Sequence, residues 1–318
     1  MNRYTTSSIT HFLCRVGSAS MTVSLLCVIV FSYPALALDT GRKQFTSPEV
    51  AFNALLEATK NNDMKELLSI FGPSGKEVIS SGDAVADKEA RERFVKSAGD
   101  AVKFSKIDNS TVFAVIGKDE WSFPVPLVKS PQGWAFSTEK GKEEIINRRI
   151  GRNELRAIQV ALAYVDAQYE YAGKDRDGDG VLQYARKFVS HTGKKDGLYW
   201  EAAPGEEASP LGPLFARATE EGYNFRSLKR QGGSAPGGER EYIIDGKMTG
   251  GFGFVAYPAE YGVSGIMTFI VNQDGLVHEK DLGPKTKEIA KTMKKYDPDK
   301  TWKKVEWTPE ALAKRKML

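Results

Sequence analysis

The stretch NELRAIQVALAYVDAQYEYA, residues 153–172, carries the clearest helical pattern of the chain and indicates how the residues after it are arranged. Its large apolar side chains recur three or four positions apart, at Leu155, Ile158, Leu162, Val165 and Tyr169. That spacing places them on one face of an α-helix of about five turns. Because an apolar helix face is stable only when another layer covers it, we expect a sheet downstream.

Three downstream segments are predicted to be antiparallel strands: EYIIDG at 241–246, GGFGFVAYP at 250–258 and GIMTFIVNQDGLVHEKDLG at 265–283. They are rich in β-branched and aromatic residues, and a turn at 272–275 divides the last one. A shorter helix is predicted over 209–223, with Ser209 and Pro210 at its start and Gly222 at its end. Residues 147–302 are therefore predicted to form one domain, a long helix packed on an antiparallel sheet.

The residues upstream predict a second, different unit. The stretch 46–72 carries two amphipathic helical patterns separated by Asn61-Asn62-Asp63, with Ser47 as a cap and Pro48 at the first helical position. Short runs rich in Val, Phe and Trp follow at 110–116, 120–128 and 133–139 and predict strands. Residues 38–146 are thus predicted to be a helix-then-sheet domain, and the fold class is α+β with two domains.

Residues 1–37 have the parts of a secretory signal peptide. Arg3 and Arg15 precede an apolar run at 21–37, and Ala35-Leu36-Ala37 is the small-x-small pattern at its end. The run is shorter than the ~20 apolar residues that a membrane span needs. We expect cleavage before Leu38, no membrane span in the mature chain, and a periplasmic or secreted location.

Composition excludes several classes of function. Both cysteines, Cys14 and Cys27, lie in the signal segment, so the mature chain has no disulfide, cysteine nucleophile or cysteine-based zinc site. The 45 Lys and Arg nearly balance the 41 Asp and Glu, and acids alternate with the lysines near the C-terminal tail at 303–318. This balance gives no indication of a nucleic-acid partner.

The stretch DRDGDGVLQYA, residues 175–185, carries half of a calcium loop of the EF-hand type. The predicted ligands are the carboxylates of Asp175, Asp177 and Asp179, the carbonyl of Val181 and the side chain of Gln183. At position 12, where a bidentate carboxylate belongs, the chain has an arginine, residue 186. Ca²⁺ binding is one hypothesis, and a turn that ends one helix and caps the next is the other.

Three arginines, Arg148, Arg149 and Arg152, stand at the predicted junction of the domains. Guanidinium groups bind carboxylates and phosphates, so a small anionic ligand is one hypothesis. Three glutamates between residues 143 and 154 make an interdomain salt-bridge network the other.

Aromatic side chains supply further candidates for binding. Trp121 and Trp134, on predicted strands, either line a ligand pocket or pack in the core. Tyr199 and Trp200 are either an exposed contact surface or buried.

No enzyme signature is complete. The mature chain has two histidines, His191 and His278, and no neighbouring residues complete a triad or a ligand set with either. Carboxylate pairs such as Asp83 with Asp87 remain, although Asp at these positions is also typical of turns and helix caps. We leave open whether the chain is an enzyme and favour a non-enzymatic protein.

Three resemblances accompany these patterns. Residues 45–146, ending in PLVKSPQGWAFSTEKGKEEI, resemble an NTF2-like cone, whose open end often holds a ligand. Residues 147–283, ending in AEYGVSGIMTFIVNQDGLV, resemble the head of type IV pilins and pseudopilins, but charged KGKEEIINRRIGR replaces the apolar half-helix that a filament needs. The whole chain over 45–302, including QGGSAPGG and KDGLYW, is similar to the uncharacterised bacterial family of domain of unknown function 2950, DUF2950.

These resemblances imply an exported protein and no defined activity. We expect a non-enzymatic binding or assembly accessory of the cell envelope, with an envelope protein or a small anionic ligand as partner. The alternatives are a carboxylate-dependent hydrolase with its site in the N-terminal cone and a calcium-stabilised structural module.

Overall fold

A pair of amphipathic helices opens the part of the chain that the structure describes. The computed structural model describes residues 41–306 except 213, 214, 216–218, 220 and 221. Helix α1, Pro48–Lys60, begins where predicted, and the Ser47 hydroxyl caps it by accepting a hydrogen bond from the Val50 amide. Helix α2, Met64–Phe71, follows a turn in which Asn62 has a φ of 52°. The predicted signal segment and residues 307–318 of the predicted tail lie outside the described residues.

Two more helices precede the first sheet. A 3-10 turn at Pro73–Gly75 leads into α3, Lys76–Ile79, and then into α4, Ala84–Asp100. The carboxylate of Asp83 caps α4 by accepting from two backbone amides of the first turn. The polar N-terminus of α4 is thereby satisfied at the surface.

An antiparallel sheet completes the N-terminal half. Its strands are β1 Val102–Lys106, β2 Thr111–Ile116, β3 Trp121–Ser122, β4 Leu127–Ser130 and β5 Gly133–Phe136. They are ordered β1-β2-β4-β5, with β3 also paired to β2. A core of buried aliphatic and aromatic side chains, Phe52, Leu55 and Phe71 among them, fills the space between this sheet and the helices.

One continuous helix, α5, Thr138–Ala172, links this half to the rest of the described chain. Its 35 residues span about 52 Å. Near its start, a Cβ on Gly141 would come within 2.6 Å of the Val125 side chain, so the glycine permits the close approach of α5 to the N-terminal half. The predicted domain boundary at 146/147 falls inside α5, and the division into two domains stays a prediction.

The C-terminal half contains a five-stranded antiparallel sheet and three shorter pairings. Its strands are β6 Tyr223–Ser227, β7 Arg230–Gln231, β8 Arg240–Glu241, β9 Ile243–Ile244, β10 Lys247–Met248, β11 Gly253–Pro258, β12 Met267–Asn272, β13 His278–Asp281, β14 Lys295–Tyr296 and β15 Lys303–Lys304. The large sheet is ordered β15-β13-β12-β11-β6. Gly275 closes the predicted turn between β12 and β13 by donating its amide to the Asn272 carbonyl.

Strand β11, which lies between β12 and β6, is buried on both faces, because α5 covers one face and another helix covers the other. Phe254 packs with Tyr164 of α5, whereas Val255 packs with Ala290 of helix α6, Thr286–Thr292. This double burial explains the uninterrupted apolar run of the strand. The predicted α+β class is confirmed. Of the 15 residues of the helix predicted over 209–223, 7 lie outside the described residues, and the last, Tyr223, begins β6 instead.

No helix within the described part of residues 41–306 combines the length and the apolar character needed to cross a membrane.

Candidate functional site

An apolar pocket of about 320 Å³ opens in the N-terminal half. Its walls come from α1 to α5 and from the segment around β3, and they include Leu55, Phe71, Ile79, Phe94, Phe123 and Ile145. Phe123 is the centre of this wall, since its ring lies 5.5 Å from that of Phe94 and 6.0 Å from that of Phe136. The pocket is therefore an extension of the N-terminal core that reaches the surface.

Two carboxylates and one guanidinium stand at the pocket: Glu77, Asp87 and Arg91. Asp87 accepts hydrogen bonds from the Ser81 hydroxyl at 2.6 Å, the Ser81 amide at 2.8 Å and the Ser80 hydroxyl at 2.7 Å. These donors, the Ser81 hydroxyl first, lower the pKa of Asp87 to about 2. A carboxylate so strongly stabilised as an anion is a weak base and holds no proton to donate at neutral pH.

Glu77 is engaged as well, because its carboxylate lies 2.9 Å from the Lys142 ammonium. A general acid and base pair needs two groups whose environments separate their pKa values around neutrality. Asp87 is fixed as an anion and Glu77 lies in an ion pair, so the described carboxylates of this pocket give the hydrolase hypothesis no support.

The structure brings two of the predicted binding residues together at the pocket. Trp121 lines the pocket and is 46% exposed, and the guanidinium carbon of Arg148 lies 5.9 Å from its ring centre. Arg148 also donates to the Ser122 carbonyl at 2.7 Å and to Glu144 at 2.6 Å. Trp134 lies elsewhere, on β5, where its backbone pairs with Phe45 and its side chain packs against the N-terminal core.

The other predicted arginines continue along the surface of α5. Arg149 and Arg152 are exposed as residues. The pKa of Arg152 is nevertheless lowered, first by partial desolvation of its guanidinium group and then by the positive charges of Arg156, Arg148 and Arg149. Of the predicted salt-bridge network, the pair between Arg148 and Glu144 is formed. The Glu154 carboxylate accepts from the amides of residues 266 and 267, each at 3.0 Å, and so fixes β12 to α5.

The predicted calcium loop places its three carboxylates together. Oxygens of Asp175, Asp177 and Asp179 lie within 4.8 Å of one another, and all three residues are exposed. Asp175 accepts from the amides of Gly178 at 2.9 Å and Gly180 at 2.7 Å. Hydrogen bonding, that from Gly180 first, lowers the pKa of Asp175. The loop is thus organised around an ionised first carboxylate.

Side chains of the protein already contact the other two carboxylates. The Gln183 amide donates to Asp177 at 2.7 Å, and the Lys247 ammonium contacts Asp179. Arg186, at the position of the missing bidentate acid, donates to the Gly246 carbonyl at 3.0 Å. These contacts bind the loop to the hairpin of β9 and β10.

Two features separate this loop from an EF-hand. The loop follows α5, but residues 181–212 contain no helix, so no second helix leaves the loop and the predicted cap of a following helix is not formed. Leu182, at the position that is apolar in EF-hands, is 57% exposed, and Val181 is 38% exposed.

Several functional candidates were not predicted from the sequence. Phe94 of α4 and Ile145 of α5 line the pocket, and Arg91 stands beside them. The signal for Phe94 is its position as an isolated aromatic residue in the charged stretch DKEARERF. Trp200, considered as an exposed aromatic, is 8% exposed, and its indole donates to the Glu207 carbonyl at 2.9 Å.

Comparison with known proteins places the chain in a family without assigning it an activity. No curated protein and no solved structure matches it. The family model described as "Protein of unknown function (DUF2950)" matches residues 42–305, which is most of the chain. The chain therefore belongs to the DUF2950 family.

Proposed function

We propose that this protein is an exported, non-enzymatic binding protein of the bacterial cell envelope, and that a small apolar ligand occupies the pocket of the N-terminal half. The observation that carries the proposal is the pocket itself, about 320 Å³ in volume with an aromatic and aliphatic wall. Sites for small molecules are usually concave, largely apolar and about 300–1,000 Å³ in volume.

The geometry of the wall supports binding of an apolar group in particular. Phe94 and Phe123 meet at 5.5 Å in a tilted arrangement, and Trp121 extends this wall to the surface. A ligand placed there would remove apolar surface from water at roughly 25 cal/mol per Å². The ionised Asp87 and the Glu77–Lys142 pair keep the edge of the site polar.

The test is a titration of the mature protein with the uncharged apolar dye N-phenyl-1-naphthylamine, in which the fluorescence of the dye reports binding. Ala90 of α4 lines the pocket and is exposed, so Ala90→Phe fills the pocket at little cost to the core. In a helix this change costs about 0.5 kcal/mol from propensity alone. We expect Ala90→Phe to weaken dye binding at least tenfold.

Ala86→Phe is the matched control, because Ala86 is an exposed residue of the same helix outside the pocket lining. It should leave dye binding within twofold of the wild type. Equal binding by wild type and Ala90→Phe would show that the dye does not use this pocket and would contradict the proposal.

Export has its own test in the N-terminus of the protein isolated from the producing bacterium. Cleavage after Ala37 would give a chain that starts at Leu38 in the periplasm or the medium. Full-length protein retained in the cytoplasm would contradict the proposed location.

A second candidate function is that of a calcium-stabilised module, favoured by the three carboxylates within 4.8 Å of one another. An ion that binds only the folded state raises the unfolding midpoint. When millimolar calcium is added to protein in a buffer previously freed of metal, we expect the unfolding midpoint of the wild type to rise and that of Asp177→Asn to stay the same. Lys247→Gln should increase the rise, because the Lys247 ammonium contacts Asp179 and competes with a cation.

If calcium shifts the unfolding midpoint of neither the wild type nor Lys247→Gln, the loop is a turn held by the contact of Lys247 with Asp179. That result would reject the calcium function without affecting the proposal for the apolar pocket.

A further inference from the structure

A second cavity, of about 710 Å³, lies in the C-terminal half beside the 175–185 loop. Cationic side chains dominate its lining, namely Lys174, Arg176, Arg186, Lys187, Lys194 and Lys195. Two carboxylates, Asp177 and Asp196, also line it, and Glu207 contacts three of the cations. Six positive charges thus face three negative ones.

Glu207 is shared among three of these cations. Its carboxylate lies 2.6 Å from Lys174, 3.4 Å from Arg176 and 3.0 Å from Lys195. Hydrogen bonds from Lys174 and Lys195 lower the pKa of Glu207 to about 2. One carboxylate cannot neutralise three cations, so positive charge is left over on this side of the cavity.

The remaining charged residues of the lining have a similar excess of positive charge. Asp196 contacts the Lys187 ammonium and the His191 ring, each at 2.7 Å. Neither Lys194 nor Arg186 forms an ion pair with a carboxylate in the part of the chain that the structure describes; Arg186 contacts the neutral Gly246 carbonyl. Their charges are available to a ligand.

Arg176 gives the cavity a rigid wall. Its side chain is only 9% exposed, and its guanidinium carbon lies 4.7 Å from the Tyr171 ring centre and 5.2 Å from that of Trp200. A planar guanidinium held between two rings is already ordered, which reduces the entropy lost when an anion binds. The neighbouring lysines carry compact charges on flexible four-carbon stems, so their ammonium groups can adjust to the ligand.

We propose that this cavity binds a small polyanion that carries two or more phosphate or carboxylate groups. The cations come from three segments of the chain, 174–176, 186–187 and 194–195, so one ligand in the cavity contacts charges from more than one segment. The volume, about 710 Å³, exceeds what a single inorganic phosphate fills and suits an organic polyanion. The site is independent of the apolar pocket, and its residues are distinct from Arg148, Arg149 and Arg152 of α5.

The experiment is calorimetric titration of the mature protein with tripolyphosphate and, separately, with citrate. The buffer is made metal-free on a chelating resin, so that an ion in the neighbouring loop cannot mediate binding. Tighter binding of tripolyphosphate assigns the site to phosphates, and tighter binding of citrate assigns it to carboxylates. Since both are small polyanions, either result supports the proposal.

The decisive variant is the double change Arg186→Gln and Lys194→Gln, which removes the two cations without a carboxylate partner. We expect its Kd for the tighter ligand to rise at least tenfold. The matched control is Lys96→Gln with Lys140→Gln, which removes the same charge at exposed positions outside the cavity. The control Kd should stay within twofold of that of the wild type.

Lys194→Glu is the second test, because Lys194 is exposed and this single change leaves the Arg186 contact intact. It should abolish measurable binding while the unfolding midpoint stays close to that of the wild type. The proposal is overturned if neither polyanion binds. It is also overturned if cavity and control variants weaken binding equally, since the attraction would then come from the overall charge of the protein.

Discussion

The apolar pocket and the cationic cavity are built on opposite principles. Phe123, in the wall of the apolar pocket, is also a core residue, with four aromatic rings within 6.4 Å of its centre. The cationic cavity is lined by loop and helix-end residues, and its cations pair with the carboxylates of Glu207 and Asp196. Stability and the proposed binding therefore depend on the same atoms in the apolar pocket, whereas in the cationic cavity they depend on largely different ones.

The largest effect we expect comes from the shared atoms. Phe123→Ala should lower the free energy of unfolding by about 3–5 kcal/mol, because a buried phenylalanine that is truncated leaves a cavity. Denaturant unfolding, followed by circular dichroism, measures this loss.

Trp121→Ala is the control for that experiment. Trp121 belongs to the same pocket but is 46% exposed, so its truncation should cost about 1 kcal/mol or less. If the two variants lose the same free energy, the pocket wall is not part of the core and the comparison fails.

Arg176, the least exposed of the described cations that line the C-terminal cavity, should give the next largest effect. Arg176→Gln removes a guanidinium stacked between Tyr171 and Trp200 and its hydrogen bonds to Glu207, and we expect a loss of about 1–3 kcal/mol. Arg186→Gln, at an exposed residue with one hydrogen bond to a carbonyl, should cost less than about 1 kcal/mol. If thermal or denaturant unfolding shows that both variants lose the same free energy of unfolding, Arg176 is not a structural part of the cavity.

Sequence patterns predicted the N-terminal half well, because its elements are short and locally determined. Ser47 and Pro48 mark the start of α1, and the Asn61-Asn62-Asp63 turn stands where the chain reverses. Trp121 lines the apolar pocket, whereas Trp134 has the same local pattern and packs against the core; a ligand-binding role for either stays a prediction. Local pattern alone does not tell a pocket wall from a core, since both require apolar strand residues.

The length of α5 was not predicted, because its first half contacts different partners from its second half. Residues 138–152 are highly charged, with Gly141 and Gly151 inside the stretch, and charged residues with glycines favour a junction rather than a helix. The structure shows one helix there, stabilised by tertiary contacts such as those of Gly141 with Val125. Tertiary packing here overrides helix propensity.

The sequence did not predict the cationic cavity, for a related reason. Its lysines and arginines are scattered over 174–195 in runs such as GKDR, YARK and GKK, each of which resembles a solvated turn. Only the folded chain places them around one cavity. The carboxylates of the 175–185 loop were predicted together because their spacing is local, whereas the contact of Asp179 with Lys247 joins residues 68 positions apart.

The smallest effect we expect is one of pH, and it concerns Glu207. Its pKa in the folded protein is lowered from 4.5 to about 2 by the lysines around it, so the ionised carboxylate stabilises the folded state above about pH 4.5. This contribution is lost as the pH falls from about 4.5 to about 2, where the carboxylate takes up a proton in the folded state too. Glu207→Gln should therefore lower the unfolding midpoint at pH 7, and the difference from the wild type should vanish near pH 2.

Glu201→Gln, at a nearby exposed glutamate, provides the control and should show a smaller difference at pH 7. The same Glu207→Gln variant also tests the cationic cavity, because it raises the excess of positive charge there. Tripolyphosphate should then bind severalfold more tightly to a protein that is less stable. In the apolar pocket, no substitution of Phe123 should strengthen binding while it lowers stability, since the Phe123 ring belongs to both the pocket wall and the core. Weaker polyanion binding by Glu207→Gln would mean that Glu207 positions the cations rather than competing for them.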